Sequence, residues 1–458
     1  MSRDSMNIGS ELRRTVRGRV LVPGDEGFET ARTPWNLAVE QRVLAVVEAE
    51  DADDVAAVVG YAGLSGLGVS TQPSGHGASG DTEGTILLRT GRLRGLRVRP
   101  DERLARVGAG VSWGEVLTEA SGHGLLGLAG SSPAPSVVGY TLGGGVSWFG
   151  RKYGFAADSV RSLDVVTADG ARARVDADSD PELFWALRGG GGDFAVVTGM
   201  EFALYPAPHL YGGRTVWPAD RADEVMAAFR ETTAEAPEEL TVWFSLIRFP
   251  PLPHVPEPLR GLSAVVADVT YLGDPEEGRA LLHRFEKIGG RVADTRGPLP
   301  VAGLGGICAE PTDPGPGMFR GELLTRFDET VAAAVLDEVA GSGTVAPLAV
   351  AQLRHLGGAL ARPAAGGGAC GHFEEEYLLG LLGVPFTPES GAAIGERQRA
   401  VSSALVPYTS GRKPFTNLGA GEKAANAFPG DVLARLRDVK RRRDPLGVLR
   451  SNYPVLDA

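Results

Sequence analysis

Cysteine is nearly absent. Cys308 and Cys370 are the two thiols in 458 residues, and no CxxC pair occurs. Neither a disulfide framework nor a thiolate metal cluster can organise the chain, and a reducing, cytoplasmic setting is expected. Positive charge is also short: 46 Lys and Arg stand against 57 Asp and Glu, a formal net charge of −11. Nucleic acids and anionic membrane surfaces recruit clustered cations, so neither is an expected partner. The one basic run, Lys440–Arg443, lies close to Asp438 and Asp444 and reads as a solvated helix end. No apolar run reaches the ~18 residues a membrane span needs, and the opening MSRDSMNIGSELRRTVRGRV lacks the apolar core of a signal peptide. Seven scattered histidines with no i, i+4 pair leave no familiar metal-ligand spacing. No G-x-x-x-x-G-K-[ST] occurs, which excludes a P-loop nucleotidase.

Glycine is what the chain has in excess, 64 residues, beside 43% hydrophobic and 22% charged residues. That balance allows a chain of this length to bury two or three domain cores. Two glycine-rich stretches stand out. TQPSGHGASG (Thr71–Gly80) carries His76 between glycines and follows a strand expected at Leu67–Gln72; GSSPAPSVVGYTLGGG spans Gly130–Gly145. Small residues let backbone N–H groups close on phosphate oxygens, and several together form an anion nest. Two such loops around one histidine suit a large, diphosphate-bearing cofactor. Two ordinary tight turns with a surface histidine would read the same way on glycine content alone.

Local signals place the surrounding elements. Residues 1–30 read as a loose, polar lead-in followed by a short helix or turn, and Val43–Val47 as a strand. Asp51 or Asp53 caps a helix with Val55, Val58, Val59 and Ala62 on one face. GTILLRT (Gly84–Thr90) reads as a buried strand, and a hairpin turns at Pro100–Asp101. Ser112 and Glu115 form a capping box for a helix over Trp113–Ser121. SLDVVTADGARARV is a hairpin turning at Asp169–Gly170. Asp180 and Pro181 open a helix that the glycines 189–192 stop, and FAVVTGMEFALYP follows as a strand pair. From 209 to 412, strand-like runs alternate with helical runs near 219–235, 275–289, 326–340 and 389–406. That rhythm predicts an antiparallel sheet covered by helices on one side. GVSWG (Gly110–Gly114) matches the G-x-S-x-G of a hydrolase elbow, but no oxyanion motif accompanies it and capping by Ser112 explains the same residues.

The order of motifs is more specific than any one of them. A strand, GHGA, GSSP…GYTLGGG, KYGFAADSV, VVTADG and DPELFWALRGGGGDFAVVT in succession resembles the berberine-bridge-enzyme-like flavoproteins. These belong to the vanillyl-alcohol-oxidase or PCMH-type FAD superfamily. The likeness is close over about residues 30–206, looser in the C-terminal segment, and local in between at QLRHLGGALARP (Gln352–Pro363). It implies a two-lobed α+β protein: a PCMH-type FAD-binding domain at 30–206, a substrate-binding α+β domain at 207–412, and a segment at 413–458 that returns to the FAD domain.

The resemblance also implies roles. His76 would be bonded through a ring nitrogen to the 8α-methyl of FAD, with Pro73, Ser74, Gly75, Gly77 and Ala78 lining the same loop. Ser132, followed by Pro133, falls where many relatives carry a second anchoring cysteine. Serine cannot form the thioether, so single covalent attachment is expected. Gly139, Thr141, Gly143, Gly144 and Gly145 would let the chain approach the flavin, Val197 would border the adenine, and Asn452 and Tyr453 would touch the isoalloxazine. The family's YxxNYxRLxxVK pattern is broken here: Pro429 and Leu433 replace its tyrosines and Val432 its asparagine, so the usual base is missing. A substitute is sought in GHFEEEYLLG, where a strand would put Glu374 and Glu376 on one face and alternate them with Glu375 and Tyr377. Glu374, Glu376 and Tyr377 are the catalytic candidates. His372, Arg354 and His355 are weaker ones, better explained as structural.

The reaction implied is hydride removal from a C–OH or C–N centre of a secondary-metabolite or sugar-like small molecule, with molecular oxygen as acceptor, by a monomer or homodimer. Two other readings stay open: a flavin-containing cyclase or isomerase without net oxidation, and a non-catalytic FAD-binding protein.

Overall fold

The computed structural model describes residues 3–253, 255–341 and 344–456. It shows a two-lobed α+β architecture.

The first lobe holds two sheets. In one, Ala45–Glu48, Thr85–Arg89 and Gly68–Gln72 lie side by side and parallel, with Arg19–Leu21 antiparallel on one edge. Val46, Val47, Ile86, Leu87 and Leu88 are fully buried, as short apolar strands covered on both faces must be. Leu449–Arg450, from the far end of the chain, pairs in parallel with Gly68–Gln72. The helix Ala52–Ser65 is capped by the Asp51 carboxylate, which accepts from Asp53 N and Asp54 N, and it ends at Gly66 with φ +68°. Its predicted apolar face, Val55, Val58, Val59 and Ala62, is fully buried. The second sheet is antiparallel, in the order Leu96–Arg99, Leu104–Gly108, Val196–Ala203, Val160–Val166, Arg172–Val175. The strand pair expected over FAVVTGMEFALYP is instead one long strand plus Tyr205–Pro206, which pairs with Leu125–Leu126. Both halves of the Ser112–Glu115 capping box are present.

The opening segment is more ordered than its polarity suggested. Arg3–Thr15 is a helix that buries Leu12. The buried Asp54 carboxylate accepts from Arg17 N at 2.7 Å and Gly18 N at 2.9 Å, fixing the chain where it leaves that helix.

The second lobe is built on an antiparallel sheet: Ala293–Asp294, Tyr211–Pro218, Ser263–Tyr271, Leu240–Arg248, Val350–His355, Tyr377–Gly383, Met318–Leu324, in that spatial order. The helices Ala222–Ala234, Glu329–Ala340 and Pro388–Ala404 cover one face through a core that includes Val242, Phe244, Leu353 and Leu379. The helix expected over 275–289 breaks at Leu282 into two short pieces. Alternate residues of the sheet turn toward the first lobe: Trp243 stacks on Trp148 with ring centroids 3.6 Å apart, and Leu323 and Leu378 pack with Val146 and Phe155. Arg151 fastens the lobes. Its buried guanidinium donates to the backbone carbonyls of Leu240 (2.9 Å), Ala236 (3.1 Å) and Leu356.

The basic run near the end is a helix terminus, with Arg441 and Arg442 exposed, but Lys440 within it is not solvated. On the helix Gly430–Arg443, Lys440 is 4% exposed and donates to Asp444 at 2.8 Å and to the carbonyls of Asp193 (2.7 Å) and Leu449 (2.6 Å). Arg442 and Arg443 pair with Glu182 and Asp180. A buried cation such as Lys440 is held by partners, not by water. Among the described residues no helix is long and apolar enough to cross a membrane.

Candidate functional site

The strand Gly68–Gln72 delivers the loop Pro73–Ala78 to the junction of the lobes. Gly75 takes φ +86°, and a Cβ there would lie 2.8 Å from Pro34, so only glycine fits without displacement. His76 follows. Its ring stacks on Trp35 with centroids 4.2 Å apart and planes 15° off parallel. Nδ1 lies 2.8 Å from Ser74 Oγ, while Nε2 is buried without a partner. Burial disfavours the imidazolium and holds the ring's pKa down at about 4, so the imidazole is neutral near pH 7.

Trp35 is itself held from two sides. Its backbone N–H donates to Ser74 O at 3.0 Å, and its Nε1 donates to Thr312 O of the second lobe at 3.1 Å. Asn36 exchanges two 3.0 Å hydrogen bonds with the backbone of Gly317. The histidine loop, the strip 35–37 and the loop 312–317 therefore lie edge to edge across the lobe boundary.

The second glycine-rich loop meets the first at Pro73, whose Cγ lies 3.6 Å from where a Gly139 side chain would begin. Gly139 is exposed, and Gly77 is exposed with only Asn452 Nδ2 within 4 Å of its would-be Cβ, at 3.9 Å. Gly77 faces open space, whereas a Cβ on Gly139 would come 3.0 Å from Ser136 Oγ, which accepts from Gly139 N. Gly143, Gly144 and Gly145 do not face open space either: their missing side chains leave room for Thr416, Cys370 and the Tyr140 ring respectively. A Cβ on Gly145 would come 2.5 Å from that ring, so this triplet serves internal packing as well as any ligand. Thr141 Oγ1 and Tyr140 Oη are buried without partners. Ser132 Oγ accepts from Ala134 N at 3.3 Å, a turn contact, and Pro133 packs against Gly114 and Gly305.

The C-terminal segment closes the third side. Asn452 Oδ1 accepts from Gln72 Nε2 at 3.4 Å. The Tyr453 hydroxyl donates to Leu418 O at 2.7 Å, and burial pushes its pKa up to about 12, so this phenol is engaged in holding the tail. Asp193, 1% exposed, accepts from Ser451 N at 3.1 Å and Val455 N at 2.7 Å. Ser451 Oγ is buried without a partner. Val197 lies in the strand Val196–Ala203, paired with Val165 and buried.

Above this floor, the second lobe presents a polar row across adjacent strands. Arg214 pairs in register with Asp268, Asp268 with Trp243, and Trp243 with Arg354. Arg214 grips the fully buried Asp268 carboxylate with two bonds, 2.6 and 2.9 Å. In the next row Gln352 Nε2 donates to Ser245 Oγ at 3.0 Å, and Gln352 Oε1 accepts Arg354 Nε at 2.6 Å.

The sequence candidates in GHFEEEYLLG are placed differently from expectation. The strand starts at Tyr377, so the three glutamates precede it; Glu374 and Glu376 are exposed and Glu375 is buried with Oε2 unpartnered. Tyr377 lies on the helix-covered face, its hydroxyl 2.7 Å from Thr233 Oγ1 and its ring against Phe327 and His355. Strand alternation turns it away from the face that bears Arg354, which removes it from the pocket side. His355 shares that buried helix-side core.

Trp35, Tyr140, Trp243 and Asp268 carry much of this arrangement, and sequence reasoning did not single them out. Tyr140 alone had a local signal, an aromatic ring between Gly139 and the glycine triplet.

Three comparisons bear on the site. Residues 43–176 match the family described as FAD binding domain. The (R)-6-hydroxynicotine oxidase of Paenarthrobacter nicotinovorans is 28% identical over 96% of this chain and 97% of its own length. Among solved structures, the 6-hydroxy-D-nicotine oxidase of Arthrobacter nicotinovorans is 25% identical with TM-score 0.81, covering 96% of this chain and 98% of that one. The BBE-like 1 protein of Physcomitrella patens has TM-score 0.85 at 18% identity, covering 98% and 99%.

Proposed function

Because the chain belongs to the PCMH-type FAD-binding superfamily and is an FAD-linked oxidoreductase, we propose that it removes a hydride from a C–OH or C–N centre of a small molecule, with molecular oxygen as acceptor. Secondary-metabolite or sugar-like substrates accord with relatives whose names specify a hydroxynicotine and a glucooligosaccharide.

The observation that carries this reading is a set of buried polar atoms without partners: His76 Nε2, Tyr140 Oη, Thr141 Oγ1 and Ser451 Oγ. They sit on the three segments that converge at Pro73, Gly139 and Asn452. Each such atom costs about 1–3 kcal/mol if left unpaired, and a polar cofactor laid between the exposed Gly77 and Gly139 would satisfy them. The residues fit FAD. When bound, FAD supplies hydride acceptance and the return of electrons to oxygen.

The chain's part is to hold and orient. His76, neutral and stacked on Trp35, is the proposed covalent anchor; with serine at position 132, attachment is single. Asn452 and the backbone of Gly77 border the cofactor, and Tyr453 positions the tail. Glu374 and Glu376 remain the proposed proton acceptors. A Glu374→Gln, Glu376→Gln double variant that turns over at the wild-type rate would transfer that role elsewhere.

The test is direct. The purified protein is precipitated with acid, and the yellow chromophore is expected to stay with the pellet and to map to the His76 peptide. Colour released into the supernatant would leave FAD binding intact and overturn covalent attachment. With a substrate found by flavin bleaching, oxygen consumption equal to product formed tests the acceptor; an oxidised product without oxygen uptake would point to another acceptor, and a product at the substrate's own oxidation level to a cyclase or isomerase.

A further inference from the structure

The polar row of the second lobe is unbalanced. Arg214, Asp268, Trp243 and Arg354 stand side by side across four strands. Two are cations and one is an anion. Both Asp268 oxygens are taken by Arg214, and the Cys308 thiol leans on the same carboxylate at 3.6 Å. Arg354 has no carboxylate partner among the described residues.

Arg354 is nonetheless firmly placed. Its guanidinium carbon lies 4.3 Å from the centroid of the Trp243 ring, which in turn stacks on Trp148 of the first lobe. Its Nε is held by Gln352, and Gln352 by Ser245. One edge of the guanidinium is thereby fixed, and the planar fork keeps its terminal N–H groups for something else. A half-buried cation without a counter-charge is an unfinished arrangement. Nearby, Tyr140 rises from the glycine loop with a buried, partnerless hydroxyl. Burial raises that phenol's pKa and the Arg354 charge opposes the rise, so the two groups feel each other across the same space.

We propose that Arg354 is the substrate's anchor and that the substrate is an organic carboxylate, its oxygens received by the terminal N–H groups of Arg354. The guanidinium fork matches a carboxylate in two parallel hydrogen bonds, a geometry a neutral hydroxyl or amide does not reproduce. The row then explains itself: Asp268 neutralises Arg214, and the substrate neutralises Arg354. The aromatic plane of Trp243 holds the guanidinium flat in the meantime. This assignment rests on reading the sheet as the substrate side of an FAD enzyme.

The experiment titrates the protein as purified, at matched ionic strength, with acetate, phenylacetate and benzoate, each against its neutral primary amide. Two signals are followed: the visible flavin spectrum and the tryptophan emission, to which Trp243 contributes directly beneath the site. At least one carboxylate is expected to bind saturably with both signals moving, and its amide to bind about ten- to a hundredfold more weakly, the loss of one charge-assisted pair. Arg354→Met should lose the same factor with its flavin content unchanged, and Arg354→Lys should recover part of it. Equal binding of acid and amide overturns the proposal. So does a carboxylate affinity that Arg354→Met leaves alone, or no response to any acid. A colourless protein would defeat the FAD reading instead, and the emission signal would then decide the anchor alone: an acid-specific change lost in Arg354→Met sustains it, and none overturns it.

Discussion

The floor of the site and its roof are built by different means. Around His76, the groups of the floor sit on short local elements, the loop Pro73–Ala78 and the helix Val137–Leu142, and much of what they offer is backbone and small side chains. Overhead, Arg214, Asp268, Trp243 and Arg354 come from four separate strands and meet only because the sheet aligns them. The floor holds its shape through packing that leaves polar atoms unpaired. The polar row of the roof pairs Arg214 with Asp268 and Gln352 with Ser245, and leaves one cation over. On the proposed reading, a floor of this kind would fix which cofactor is held, and a roof of side chains would fix which molecule is admitted. The second can change residue by residue while the first stays as it is.

Substitutions can break this division, beginning with the largest effect. His76→Ala should move the flavin from the acid pellet wholly into the supernatant. Full retention would put the anchor elsewhere on the floor. Next, Lys440→Met leaves the buried Asp444 and Asp193 without their cation. A loss of about 3–5 kcal/mol is expected from urea unfolding, accompanied by loss of flavin because the tail borders the floor. A change under ~1 kcal/mol, the scale of an exposed pair, would show that the tail is held by other contacts.

The glycines sharpen the comparison within the floor. Gly145→Ala places a Cβ at φ +75° against the Tyr140 ring and should lower stability by roughly 1–3 kcal/mol. Gly77→Ala meets only Asn452 Nδ2, at 3.9 Å, so its stability should hold while flavin content falls. If both variants lose stability alike, the distinction between packed and open glycines fails.

The last effect is on pH dependence. His76 has a folded pKa of about 4, below the ordinary 6.5, so the folded protein resists a proton that the unfolded chain accepts. Its contribution to stability is whole above pH 6.5 and is lost as pH falls toward 4. In flavin-free protein, His76→Gln should unfold in urea with a shallower decline between pH 6.5 and 4 than the wild type. Identical profiles would mean that the ring is freely hydrated.

What the sequence disclosed was what short segments decide. Asp51, Ser112 with Glu115, and Asp180 all cap the helices assigned to them, because a cap reads residues three or fewer positions away. The His76 loop and the glycine triplet were visible for the same reason. The roof was not, since register between strands leaves no trace in spacing along one strand. Lys440 was misread because its run of charge is local while its carbonyl partner, Asp193, is 247 residues away. The glutamates before Tyr377 alternate as a strand would, but pairing with Val350–His355 begins only at Tyr377. The helix Arg3–Thr15 was read as a loose lead-in because its chain is mostly polar, and the buried carboxylate of Asp54 that fixes its exit lies well downstream.

The pairing of Leu449–Arg450 with Gly68–Gln72 carries a consequence of timing. The strand that ends in the His76 loop is synthesised early, yet its neighbour, and the Asn452 that reaches Gln72, emerge about 380 residues later. On the ribosome the floor is a half-lined bed with one bare strand edge until those last residues appear. A cofactor met before then would have nothing on its third side to hold it, so firm capture of the flavin would wait on the synthesis of Asn452.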